Sequence, residues 1–372
     1  MPKNARKRSR RWPEHLKVRV DRLRGKMSHA SVDALLVNYP PDIRYLTGFS
    51  GEDSWALITR HGVIIFSDRR FEEELAVHAP HARAIMRKKS LSEELGKLVR
   101  SQKLRRIGFQ AEHMTVAGRK SILKHIPARR LRETSRWVIE QRSVKDLTEM
   151  PPLRRAIDIQ QRALMQTLPQ IRPGMTEKQV CALLEFTMRN LGADGPSFAT
   201  IIAAGANSSV PHYRPGDVKI RPRSPILIDF GAVYRGYHSD MTRVIAIGGF
   251  PKKIAEIYNI VREAQLAGIE AIRPGARLKD VDAAARQVIK KAGYGKQFGH
   301  SLGHGIGLEI HEEPRLSHLS EGQLQPGQVV TVEPGIYLPG VGGVRLEDDV
   351  LVTERGYRNL CSLPTDLESA II

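Results

Sequence analysis

Cysteine is nearly absent from the 372 residues: Cys181 and Cys361 are the only two. Cys181 sits inside an amphipathic helical pattern, so a secreted disulfide framework is not expected and a reducing cytoplasm is. No apolar run reaches the roughly 18–20 residues that a membrane span needs. The basic start, Met1 to Arg11, lacks the apolar core of a signal peptide. Collagen-like and disordered compositions are excluded as well, since 41% hydrophobic and 27% charged residues is ordinary globular usage. No RNA-recognition, KH, zinc-finger or helix-turn-helix signature occurs. Residues 1–140 hold no arrangement that resembles a catalytic constellation.

What is there begins with charge. Residues 1–150 carry 33 Lys and Arg against 17 Asp and Glu, and the remaining 222 carry 26 against 23. A basic half of this kind reads as a solvated face plus a disordered tail, residues 1–12, and nucleic-acid contact is not expected despite it. Chain length and the charge split together suggest two domains. In the first, apolar residues at Leu16, Val20, Leu23 and Met27 predict a helix over 14–28. Strands are expected at Ala34–Val37, Trp55–Thr59, Val63–Ser67 and Ile107–Gln110, with helices around Phe71–His78 and Leu91–Val99. Alternating strands and helices suggest a three-layer α/β unit. Its expected role is a scaffold or a lid that limits substrate length, with Tyr45, Phe49 and Trp55 either as core residues of the small domain or as aromatic surface.

From about residue 150 the chain repeats itself. Ile171-Arg172-Pro173-Gly174 recurs as Ile272-Arg273-Pro274-Gly275, and the same offset aligns Ala163 with Ala264 and Gly192 with Gly293. Each copy reads helix, Arg-Pro-Gly turn, helix, then a strand pair. Two copies suit one domain with internal pseudo-two-fold symmetry and a site on its axis. In the first strand pair, a hairpin centred between Tyr234 and Arg235 puts Asp229 opposite Asp240. Like charges facing each other are destabilising, and a carboxylate in an apolar strand is costly unless a cation meets it. The second pair repeats the pattern, with Glu333 across a Gly- and Pro-rich loop from Glu347.

Four converging acids call for cations, and an oxygen-rich set with one nitrogen donor suits Mn²⁺, Co²⁺, Fe²⁺ or Zn²⁺. The nitrogen is expected from the stretch Phe298 to Glu312, where His300, His304 and His311 lie within twelve residues among glycines. His311-Glu312-Glu313-Pro314 is not an H-E-x-x-H zinc helix. A fourth histidine, His212, follows Val210-Pro211 in a loop before the first strand pair.

At these residues the sequence resembles the pita-bread metallopeptidases, the family of methionine aminopeptidase, aminopeptidase P, prolidase and creatinase. The resemblance covers roughly residues 142–360 and rests on Gly-Tyr-x-Ser-Asp-Met-Thr-Arg, Gly-His-Gly-Ile-Gly, Glu-Pro-Gly and Arg-x-Glu-Asp in family order. Residues before it resemble the creatinase/prolidase N-terminal domain. The implied architecture is α+β: a tail (1–12), a three-layer α/β creatinase-type domain (13–141) and a pita-bread catalytic domain (142–372).

The resemblance also implies a metal set of Asp229, Asp240, His304, Glu333 and Glu347. Asp240 and Glu347 would bridge two ions, manganese first, with cobalt, zinc or iron as alternatives. A bridging hydroxide would attack the scissile carbonyl, with Glu333 as the proton shuttle. His311 and His212 would bond the carbonyl and the tetrahedral intermediate. His300, Arg345 and Tyr337 would line the substrate site, Arg345 holding a carboxylate or orienting the acids. The implied activity is that of an Xaa-Pro aminopeptidase, with Xaa-Pro dipeptidase as the alternative and a non-catalytic binding protein as a third. Its substrate would be a peptide with proline second, and its expected form a cytoplasmic homodimer without membrane contact.

Overall fold

The computed structural model describes residues 12–372, so the expected basic tail falls outside the described residues except for Trp12. The chain divides into two compact units, with Gln141 ending the first and Arg142 opening the second.

In the first unit the helix Glu14–His29 turns Leu16, Val20, Leu23 and Met27 to its buried side, as their spacing of three and four requires. Six strands form one sheet: β1 Ala34–Val37, β2 Trp55–Thr59, β3 Val63–Ser67, β4 Arg83–Met86, β5 Ile107–Gln110 and β6 Leu131–Thr134. Their order is β4-β3-β2-β1-β5-β6. On one face Ala34, Leu36, Leu57, Phe66 and Phe109 pack with Leu95, Leu98 and Ile122 from the helices Leu91–Ser101 and Val116–Leu123. The helices Glu14–His29 and Pro40–Thr47 pack together and meet the sheet at β2. Of the two roles open to the three aromatics, the structure shows the core one. Tyr45 and Phe49 are fully buried, and Trp55 is half-buried against the core. The apolar surface that a lid would expose is spent on closing a small core, because a unit of this size has few large side chains with which to do so.

The second unit shows the repeat. Helices Met150–Thr167 and Glu177–Asn190 form its first pair, and Lys252–Glu270 and Leu278–Lys291 its second. Thr176 and Gln179 close a capping box at the start of Glu177–Asn190. After the first helix pair, Ile201–Ala204, Ile226–Phe230 and Met241–Ile245 form one sheet, with Ile226–Phe230 in the middle. After the second, Gly303–Gly305, Glu312–Leu316, Val329–Val332, Asp348–Val352 and Tyr357–Asn359 form a five-stranded sheet. Both sheets and the second helix pair share one apolar core, from Ile201 and Leu227 through Val261 and Val281 to Val330 and Val350.

The first hairpin turns one residue later than its sequence suggests. Tyr234 pairs with Tyr237 and Thr242 with Asp229, so Asp240 lies two residues off direct opposition, on the same strand face as Thr242. The cause is the two-residue loop Arg235-Gly236, whose φ values of 47° and 72° are both left-handed. Such a turn matches the right-handed twist of its strands. The second pair keeps the expected register: Val332 pairs with Asp348 and Gly335 with Arg345, which sets Glu333 opposite Glu347.

Candidate metal centre

Each strand end contributes an acid that its apolar neighbours carry into the interior. Asp229 and Asp240 flank the tight first hairpin, and Glu347 follows the buried run Gly342–Arg345. His304 stands on the short strand Gly303–Gly305. Donor atoms of Asp240, His304 and Glu347 all lie within 4.8 Å of one another. His304 Nε2 is 3.6 Å from Asp240 Oδ2 and 3.5 Å from Glu333 Oε1. Asp229 sits beside this group, its Oδ2 accepting a hydrogen bond from Arg345.

Protonation follows from burial and crowding. Burial, then the charge of Glu347, raises Asp240 and Glu333 well above the usual carboxylate range. Burial and then Asp229 push Glu347 up to about 8. Burial also raises Asp229, against the lowering effect of Arg345. His304 is pushed down to about 4, by burial first and His311 second. Its Nδ1 lies 3.0 Å from the Gly305 carbonyl. A carbonyl only accepts, so the Nδ1 carries the proton and the Nε2 lone pair faces the acids.

These residues fit divalent cations. Asp229 Oδ1 and Asp240 Oδ1 are buried and have no hydrogen-bond donor among the described residues. The His304 Nε2 lone pair faces carboxylate oxygens of Asp240 and Glu333, the donor set that a divalent cation would complete. Four carboxylates and one imidazole make a set suited to hard or borderline ions.

Around the acids runs a chain of hydrogen bonds. Arg345 donates to Thr242 Oγ1 at 3.0 Å and to Tyr337 Oη at 2.8 Å, and Thr242 donates to Glu347 Oε2 at 2.6 Å. His300 Nδ1 donates to the Ser301 carbonyl at 2.9 Å, which leaves Nε2 to accept from Tyr337 Oη at 2.9 Å. Arg345 and Tyr337 are buried within this network. Asp229, Thr242, Tyr337 and the Pro211 carbonyl engage the Arg345 guanidinium. His311 and His212 are exposed. The His311 ring lies 4.4 Å from that of His304, and His212 is an electrostatic neighbour of Asp229, His300 and His311.

Sequence reasoning passes over three residues of this region. Thr242 and Thr331 each lie two residues from an acid, on its strand face, and that spacing is the signal that would find them. Thr331 Oγ1 accepts from the His304 N–H at 3.1 Å. Arg315 carries no such signal, because only strand pairing sets it opposite His304.

Both units of the chain match known families. Residues 152–354 match the metallopeptidase family M24 and residues 19–144 the creatinase/prolidase N-terminal domain. An Xaa-Pro dipeptidase of Pyrococcus furiosus is 35% identical, over 95% of this chain and 100% of its own. The solved Xaa-Pro dipeptidase from Bacillus anthracis superposes with a TM-score of 0.92 at 38% identity, covering 96% of this chain and 100% of that one. An X-Pro aminopeptidase from Thermotoga maritima superposes at 0.87 with 36% identity, covering 93% and 100%. The chain therefore belongs to metallopeptidase family M24, a metallo-exopeptidase with a pita-bread catalytic domain behind a creatinase-type N-terminal domain.

Proposed function

We propose that the protein hydrolyses the bond between an N-terminal residue and a following proline in short peptides. The observation that carries the reading is the buried group of Asp240, His304 and Glu347, with Asp229 and Glu333 beside it. These five side chains would hold two divalent ions, manganese in the first instance. When bound, such ions supply Lewis acidity and water activated near neutral pH. Glu333 is the carboxylate set to carry the proton to the departing proline nitrogen. His311 and His212, exposed beside the acids, donate to the scissile carbonyl oxygen as it gains charge. Arg345, Tyr337 and His300 keep the acids and the pocket wall in place. A bond to proline is a tertiary amide without an N–H, so a site that cleaves it cannot rely on a donor from that nitrogen. A homodimer and the cytoplasm belong to the same reading.

The aminopeptidase and dipeptidase forms differ in what holds the far end of the substrate. One observation favours the dipeptidase. Arg315 is exposed, stands opposite His304, and its guanidinium donates to Ser301 Oγ at 3.2 Å as its single side-chain bond among the described residues. It borders a cavity of about 330 Å³ shared with His300, Ser301 and Phe298. A cation there would fix the carboxylate of an Xaa-Pro dipeptide. The test is cleavage of Xaa-Pro beside Xaa-Pro-Xaa peptides with Mn²⁺, Co²⁺ or Zn²⁺. Cleavage of neither class sinks the reading. Arg315→Ala raising KM for dipeptides alone selects the dipeptidase, and equal use of longer peptides selects the aminopeptidase.

A further inference from the structure

Outside the acid cluster, one fully buried carboxylate has no part in the chemistry above. Glu177 opens the helix Glu177–Asn190 and is 0% exposed. No cation pairs with it among the described residues, and four neutral donors surround it. Oε1 accepts from the Ala204 N–H at 2.8 Å and from the Asn207 side-chain amide at 2.9 Å. Oε2 accepts from the Tyr213 hydroxyl at 3.0 Å and from the Gly216 N–H at 2.9 Å. Asn207 also donates to the Tyr213 oxygen at 2.8 Å. One carboxylate thus gathers the two ends of the segment 204–216 and two points between them.

That segment carries His212, next to Tyr213 in the chain. Its other contacts run to the strand of Arg345: Ser208 Oγ accepts from the Gly343 N–H at 2.8 Å, and Arg345 donates to the Pro211 carbonyl at 3.5 Å. The helix before it and the strand beside it therefore fix the loop from two sides, while His212 itself stays exposed. We propose that Glu177 is a positioning residue that holds His212 at the substrate by clamping the loop 204–216 at both ends. The inference rests on the reading in which His212 acts on the scissile carbonyl.

The chemistry of the clamp specifies a carboxylate. Both oxygens face donors only, except that the Tyr213 hydroxyl can also accept. An amide in place of Glu177 keeps size and burial but turns an N–H₂ toward a backbone N–H, at Gly216 or at Ala204. One end of the loop is then released. A misplacement of about 1 Å at a reacting group costs up to roughly 10²-fold in rate.

The experiment compares Glu177→Gln, His212→Ala and the double variant in the metal-loaded full chain. Glu177→Gln is expected to lower kcat by about 10- to 100-fold, with KM, bound metal and melting temperature close to wild type. The double variant should be no slower than His212→Ala alone. With diamagnetic Zn²⁺ as the loaded ion, imidazole NMR signals of His212, assigned by their loss in His212→Ala, should broaden in Glu177→Gln while those of His304 hold. Tyr213→Phe removes one hydroxyl from the clamp and should give a smaller fall that also disappears in the His212→Ala background. If His212→Ala cleaves normally, the role of His212 is wrong. If His212→Ala fails but Glu177→Gln and Tyr213→Phe are fully active, or their losses add to it, Glu177 does not act through His212. A Glu177→Gln protein that loses metal or melts far lower would show that Glu177 holds the unit as a whole, and overturns the proposal.

Discussion

At Asp240 the energetics of this protein are concentrated in one side chain. Its carboxyl is buried, Oδ1 has no donor, and four other acids act on it unfavourably. On the proposed metal assignment, removing its charge is expected to relieve the metal-free form and to cripple the loaded one. Asp240→Asn is expected to lose at least 10²-fold in turnover, the scale for an essential electrostatic group. In chelator it should melt above the wild type, because one of several crowded acids is gone. Calorimetry with and without Mn²⁺ checks both halves, and near-normal turnover in the variant would refute the metal assignment. His311 makes a contrasting case. It is exposed and adjoins the ring of His304 without being among the grouped donors. His311→Ala should lower kcat by roughly 10²–10³-fold while metal analysis shows unchanged content.

Between residue and molecule, strand contacts decide whether those side chains meet. A Cβ at Gly303 would lie 1.9 Å from the Thr331 carbonyl oxygen. Only a residue without a side chain lets the strand carrying His304 come so close to its neighbour. Gly303→Ala is expected to cost about 1–3 kcal/mol, the usual scale for overpacking, and to weaken metal binding, as urea unfolding and metal titration would show. The next strand is held differently. Glu312 accepts from Arg142 and from Lys145, the latter at 2.7 Å. Burial alone would raise its carboxyl, but Lys145 and Arg142 hold it down at about 2, against 4.5 for an unperturbed glutamate. A depressed folded value means the contribution to stability is complete above pH 4.5 and is lost as pH falls toward 2. Glu312→Gln should remove that acid-side loss. It should also cost about 3–5 kcal/mol at pH 7, because buried Lys145 loses its counter-charge while Arg142 still pairs with Glu309. Denaturant midpoints from pH 7 down to pH 3 measure both.

Across the whole chain, the +19 charge and the two-unit division set the behaviour in solution. No helix among the described residues is long and apolar enough to cross a membrane. Residues 1–11 are rich in Lys and Arg and belong to neither repeat. Deleting them should leave peptide cleavage unchanged and weaken only salt-sensitive adsorption to polyanions. Cleavage kinetics and retention on heparin test this, and a large fall in activity would mean that the tail reaches a site.

The sequence alone determined that two repeats exist, that each ends in a pair of acids at apolar strand positions, and that histidines cluster between them. These are local facts, carried by periodicity and by the cost of a charge in an apolar run. Where strands pair in direct opposition, as at Glu333 and Glu347, local pattern was enough to place the acids. At Asp229 and Asp240 it was not, because the left-handed Arg235-Gly236 turn moved the pairing by two residues. For Arg345 the sequence left two roles open, holding a carboxylate or orienting the site, and it could not name the buried partners from three separate segments that engage it. Glu177 is silent in sequence, since its four donors come from residues 27 to 39 positions away. Tertiary structure alone decided these, because a buried polar group must find its partners wherever the fold brings them.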